Sequence, residues 1–153
     1  MSMRKPSPEQ ARLAPDGSQP AAPSVLVVDD NEGIRIVLRM QLKLLGYRVL
    51  EAGSGQEALE LGTREHPDLI LIDVSMPQLD GLAATRLLRQ DPLTRDIPVV
   101  ALSAYHESDF YECALAAGCN DYASKPVEIN SLADLVARNL RGPGAAGRGR
   151  RSQ

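Results

Sequence analysis

The chain has 153 residues, 43% hydrophobic and 24% charged, which is the balance of one ordinary globular domain with room for tails. Its strongest aliphatic runs, at 25–28 and 69–72, are four residues long, and a bilayer-spanning helix needs roughly 20. The formal net charge of −3 is unevenly spread: residues 1–23 carry three bases against two acids, 142–153 carry three arginines and no acid, and the acidic excess falls in 24–141.

Residues 1–23 are rich in Pro, Ala, Ser and Gln and 142–153 in Gly and Arg, and neither stretch holds enough apolar surface to offset its ordering entropy. Both are expected to be disordered tails around a folded domain at 24–141. Arg4 and Lys5 are not followed by an apolar stretch, so no secretory signal is expected. The Arg-Gly tail reads as solubilising, and no direct nucleic-acid binding is expected of the folded part.

Within the domain two periods alternate. Continuous apolar runs at 25–28, 69–72 and 97–102 predict strands buried on both faces, with weaker strands at 47–52 and 121–124. After the first strand, Ile34, Val37, Leu38, Leu42 and Leu45 recur at helical spacing, and Gly46 supplies a stop. Ser54 and Glu57 form a capping-box pattern before a second helix, with Pro67 after its end. Gly62 stands on that helix where an apolar residue is expected, at a cost of about 1 kcal/mol. A third helix spans 82–88, closed by Asp91 and Pro92. Phe110, Ala114 and Ala117 mark a fourth that stops at Gly118, and Ile129, Leu132, Leu135, Val136 and Leu140 mark a fifth. Five strand–helix alternations predict an α/β domain with a parallel sheet. With no Trp and one Phe, its core must be aliphatic. Cys113 and Cys119 are too few for a disulfide framework or a four-ligand zinc site, and buried thiols in a reducing cytoplasm are expected.

In such sheets ligands bind beyond the carboxyl ends of the strands. Asp29 and Asp30 end the first strand, Asp73 the third and Ser103 the fourth, and Lys125 follows the fifth. Each alone could be a helix cap or a surface charge. Together, carboxylates this close are costly without a cation among them, and an all-oxygen set suits Mg2+ or Mn2+ better than zinc.

Four segments carry a family resemblance: 25–31 (VLVVDDN), 68–81 (DLILIDVSMPQLDG), 97–104 (IPVVALSA) and 118–126 (GCNDYASKP). In this order and spacing they resemble the CheY-like receiver domain of two-component response regulators, over essentially all of 24–141. The resemblance implies a flavodoxin-like fold, five parallel strands in order 2-1-3-4-5 with five helices on both faces. It implies that Asp73 is the phosphoacceptor, attacking a phosphohistidine of a sensor kinase or phosphotransfer protein. Asp30 and Asp73 match direct Mg2+ ligands, Asp29 a ligand acting through water, and Ser75 the position whose backbone carbonyl binds the metal. Ser103 matches the hydroxyl that bonds a phosphoryl oxygen, with the small Ala104 leaving room for the donor. Lys125 matches the amine pairing with aspartate and then phosphate, Pro126 its cis-proline neighbour, and Tyr122 the switch aromatic.

Ser75 and Tyr105 occupy positions that modulate water access in this family, and their pairing here does not specify a lifetime. With 12 residues after Arg141, no output domain is expected there. The expected function is thus a single-domain response regulator that signals to a separate target protein, with Tyr111 on the partner face. The competing readings are a receiver-fold module that takes no phosphate and a haloacid-dehalogenase-type phosphohydrolase. The latter wants Asp-x-Asp after its first strand, where this chain has adjacent acids and then Asn31. Tails of this composition also suit linkers to further domains.

Overall fold

The computed structural model describes residues 22–104 and 108–140; the two predicted tails, apart from Ala22 and Pro23, and the positions Tyr105, His106, Glu107 and Arg141 lie outside that range. Strands β1 (Ser24–Val28), β2 (Arg48–Ala52), β3 (Leu69–Asp73), β4 (Val99–Ser103) and β5 (Asp121–Ser124) alternate with helices α1 (Glu32–Leu44), α2 (Gly55–Glu65), α3 (Gly81–Gln90), α4 (Ser108–Ala117) and α5 (Ile129–Asn139). The sheet is parallel throughout and ordered β2-β1-β3-β4-β5.

Alternation along the buried strands divides the core. Leu26, Val28, Ile70, Ile72, Val99 and Ala101 face one side, where Ala58, Leu61, Ala84, Leu88 and Ala114 from α2, α3 and α4 cover them. Val25, Val27, Leu71, Val100 and Leu102 face the other, under Leu38 and Leu42 of α1 and Leu132, Leu135 and Val136 of α5. β1, β3 and β4 are buried along their whole length, as continuous apolar runs require, whereas the edge strands β2 and β5 are only partly covered.

Caps fix where the helices begin. The Asn31 Oδ1, Ser54 Oγ and Asp80 Oδ1 atoms accept from the amides of Ile34, Glu57 and Ala83 at 3.0, 3.1 and 2.8 Å. The Glu57 carboxylate reaches back to the Gly53 amide at 2.8 Å, one residue earlier than a capping box requires. Gly46, with φ 97°, reverses the chain after α1 at an angle that other residues rarely adopt. At the far end of α5, Arg138 Nε and Asn139 Nδ2 donate to Asp121 Oδ2 at 2.8 and 3.0 Å, so α5 finishes beside the start of β5.

Four expectations need correction. β4 begins at Val99 rather than Ile97, because Pro98 has no N–H for the ladder, although its carbonyl still accepts from Ile70 at 2.9 Å. Val37 is 55% exposed, and with Met40 and Leu44 it forms an apolar strip on the outer side of α1. Only Cys119 is buried; Cys113 is exposed on α4. Gly62 is no packing gap, since a Cβ there would lie 3.3 Å from Leu88 Cδ2, so α2 comes close to α3 where glycine permits it.

Candidate functional site

The parallel sheet carries its carboxyl strand ends along one rim, and the chemistry-bearing side chains meet there. Asp29 lies one residue beyond β1. Its amide extends the β1–β2 ladder by donating to the Ala52 carbonyl at 3.1 Å, which holds the side chain over the rim. Asp73 is the last residue of β3. Asp29, Asp30 and Asp73 each offer a carboxylate oxygen, and these lie within 4.8 Å of one another. Lys125 follows β5, fastened by its backbone amide to the Ser103 carbonyl at 2.7 Å and joined to Pro126 by a cis peptide. Its Nζ donates to Asp29 Oδ2 and to Asp73 Oδ1, both at 3.0 Å. The sequence expectation paired Lys125 with Asp73; the structure shows it shared between two carboxylates.

Asp29 and Asp73 are buried, 2% and 4% exposed, and Asp30 is exposed. Asp29 Oδ1 also accepts from the Asn31 amide at 2.9 Å. The Asp30 carboxylate has no hydrogen bond or ion pair among the described residues. Ser103 is fully buried at the same rim, one residue past the Leu102 that pairs with Asp73. Ser75 is exposed, and its backbone amide acts to lower the Asp73 carboxyl. Tyr122, on β5, is partly buried, and Tyr111, on α4, is 46% exposed. Their rings meet edge to face at 6.2 Å and 82°, so Tyr111 is no isolated surface aromatic.

Burial raises the Asp73 carboxyl above its ordinary range, and the charge of Asp29 acts in the same direction. The Lys125 hydrogen bond and the Ser75 amide oppose the shift without cancelling it. Burial alone would lower Lys125, but hydrogen bonds and charges from Asp29 and Asp73 outweigh it and raise the amine. The asymmetry follows from the count: one cation serves two buried anions.

A carboxyl raised in the folded state favours folding most when protonated, and that advantage is lost as pH climbs through its folded pKa. Asp73→Asn, with nothing to ionise, should therefore match the parent in melting temperature near pH 3. As pH rises above the ordinary aspartate value of 3.8, it should gain a lead of a few degrees. Thermal unfolding across that window checks this; a lead that shrinks with rising pH contradicts the sign.

The donor set also tests the fit of a metal. Two buried carboxylates share one amine, while a third, exposed carboxylate stands beside them with no partner among the described residues. This all-oxygen group, open on its solvent side, fits a hard divalent cation that keeps several waters, as Mg2+ does. A groove of about 590 Å³ runs from Lys125 and Val127 along α1, past Ile34, Val37 and Gln41. Among the described residues no helix is long and apolar enough to cross a membrane.

Comparison with known proteins agrees with this geometry. A family model described as the response regulator receiver domain matches residues 25–137. The polar-differentiation response regulator DivK of Brucella ovis is 39% identical over 117 residues, which are 76% of this chain and 95% of that protein. Among solved structures, the receiver domain of the sensor histidine kinase PA1611 from Pseudomonas aeruginosa, crystallised with a magnesium ion in its active-site cleft, superimposes with TM-score 0.73 at 36% identity. The match covers 78% of this chain and 98% of that one. The chemotaxis protein CheY4 of Vibrio cholerae gives TM-score 0.74 at 28% identity, covering 78% and 99%. The chain belongs to the response regulator receiver family of two-component signalling.

Two contributors to the rim were missed in the sequence, Arg35 and Glu51. Arg35 projects from α1, donating from Nη1 to the Asp29 backbone carbonyl at 2.7 Å and from Nε to Glu51 Oε1 at 3.1 Å. The only sequence signal was a basic pair, Arg35 and Arg39, one helical turn apart after the Asn31 cap.

Proposed function

We propose that Asp73 accepts a phosphoryl group from a phosphohistidine of a kinase or phosphotransfer protein, and that a separate protein reads the phosphorylated state. The observation that carries this reading is the Lys125 amine, 3.0 Å from both Asp29 and Asp73, with the exposed Asp30 carboxylate beside them. In the transfer, an Asp73 oxygen attacks phosphorus, the phosphorus–nitrogen bond breaks, and the imidazole leaves. A carboxylate is a poor nucleophile toward an anionic phosphoryl group, so the site must offset charge and fix direction. Asp73 is held at the end of a rigid strand, and the Lys125 ammonium can move from the carboxylate to the new phosphoryl oxygens. Asp29, Asp30 and Asp73, with the Ser75 carbonyl, would hold Mg2+, which when bound supplies further positive charge to those oxygens. The groove and the exposed strip of Val37 and Met40 beside Lys125 suit approach by a protein donor. Such a module promotes its own phosphorylation and dephosphorylation and turns over no other substrate, and a cytoplasmic setting fits its donors.

The new phosphoryl group would draw the Ser103 hydroxyl toward it. Tyr122 would turn into the space vacated, parting from Tyr111 and altering the face made by α4, β5 and α5. Incubation with Mg2+ and a small acyl phosphate should add one phosphoryl group to the intact mass. Amide exchange with beryllofluoride should change protection in α4 and β5. No mass gain from several donors together with absent Mg2+ binding would instead establish a phosphate-independent interaction module. Protection changes confined to α1 and α2 would overturn the assignment of the output face.

A further inference from the structure

Arg35, Glu51 and Arg39 form a charge cluster beside the acidic rim, outside the set described above. The Glu51 carboxylate, at the next-to-last position of β2, accepts from Arg35 Nε at 3.1 Å and from Arg39 Nη1 at 2.8 Å. Burial pushes the Glu51 carboxyl up, but the two guanidinium groups outweigh it and hold it below the ordinary range. Glu51 is therefore an anion at neutral pH with both oxygens engaged. The Arg35 side chain is 18% exposed, and its remaining contact is the Asp29 backbone carbonyl.

That carbonyl needs a donor because the sheet no longer supplies one. The Asp29 amide makes the last β1–β2 ladder bond, and β2 ends at Ala52. A buried or half-buried carbonyl without a partner is costly, and its direction sets the plane of the peptide joining Asp29 to Asp30. That peptide carries one carboxylate held by Lys125 and another with no hydrogen bond or ion pair among the described residues. At Gly53 a Cβ would lie 3.2 Å from Arg35 Nη1, so glycine leaves the guanidinium its place over the chain.

We infer that Arg35 is a positioning residue for the metal site: locked by Glu51, it fixes the Asp29–Asp30 peptide so that the exposed Asp30 carboxylate is presented beside Asp29 and Asp73. The inference rests on the phosphoacceptor reading for its chemistry, yet it is read by metal binding alone. Arg35 acts through the backbone and touches neither metal nor phosphate. Groups that orient metal ligands from outside typically cost tenfold or more in affinity when lost.

The test titrates Mg2+ into the full chain and follows the amide resonances of residues 29–31 and 73–75. It compares the parent with Arg35→Met, Arg35→Lys and Glu51→Gln. Arg35→Met should weaken Mg2+ by about tenfold. Arg35→Lys should be impaired as well, since a single ammonium cannot span the Glu51 carboxylate and the Asp29 carbonyl as a planar fork does. Glu51→Gln should weaken Mg2+ by a smaller factor, although its side chain lies outside the acidic set and it leaves Arg35 in place. In acyl phosphate assays the Mg2+ concentration for half-maximal rate should rise by the same factor as the dissociation constant, with the rate at saturating Mg2+ unchanged. A merely structural role would lower the melting temperature and leave that half-maximal concentration where it was. Unchanged Mg2+ affinity in Arg35→Met and Glu51→Gln, in a parent that binds Mg2+, overturns this inference alone. No Mg2+-dependent shifts in the parent overturn both this inference and the metal reading beneath it.

Discussion

Asp73→Asn should take up no phosphoryl group from any donor, while folding at least as well as the parent. The amide keeps the shape of the side chain but offers no anionic oxygen to attack phosphorus. The change also removes one of two buried anions that share a single amine, Lys125. Asp73→Glu makes the same point from the other side. It keeps the carboxylate but extends it by a methylene from a β3 terminus whose direction is fixed by the sheet. A misplacement on the order of 1 Å is enough for about a hundredfold loss of rate. Intact-mass time courses with a small acyl phosphate measure both. Phosphorylation of Asp73→Asn at the parent's rate and stoichiometry would move the acceptor to another residue.

Gly81→Ala should be among the most damaging single-methyl changes in the domain. A Cβ at Gly81 would collide with the Asp73 carbonyl and stand 3.1 Å from Val74 Cα, and these are backbone atoms that cannot rotate away. The start of α3 is also tied to this turn by the Gly81 amide, which donates to the Val74 carbonyl at 3.1 Å. The expected loss is about 3 kcal/mol by denaturant unfolding, the upper range for overpacking. Gly55→Ala is the control: its Cβ would come within 2.5 Å of the Leu79 carbonyl, and its three nearest neighbours all belong to Leu79 rather than to Asp73. Both variants should be destabilised, but only Gly81→Ala should slow phosphorylation under conditions where it remains folded. Equal phosphorylation rates in the two would show that the turn can yield without moving Asp73.

Much of this was legible in the chain, for identifiable reasons. Val25 to Val28 and Leu69 to Ile72 read as strands because a parallel strand covered on both faces has no polar alternation to confuse it. The start of the second helix was legible at Ser54, whose side-chain oxygen takes over an unpaired amide; the Asn31 cap of α1 and the Asp80 cap of α3 emerged only with the structure. The strand order was not readable from periodicity and came from the resemblance. Val37 was misassigned because a helical apolar stripe wider than the buried face includes residues that spill outward, and α1 has four exposed large apolar residues, Ile36, Val37, Met40 and Leu44. The acidic residues and Lys125 stood at predictable strand ends, but that Lys125 bridges Asp29 and Asp73 depends on the path after β5. The part Arg35 plays was not legible beyond its pairing with Arg39, since its target is a backbone carbonyl and any residue at position 29 would supply one.

The finish of α5 beside the beginning of β5 bears on how such a domain can be tethered. Ser24 opens β1 at that same rim, so both ends of the described fold leave from the side opposite the acidic residues, about one strand length, roughly 17 Å, away. Whatever polypeptide is spliced to either end is attached where it does not crowd Asp73. Modular reuse then requires no redesign of that rim, and a neighbour tethered at either end stands a strand's length from it, along the strands.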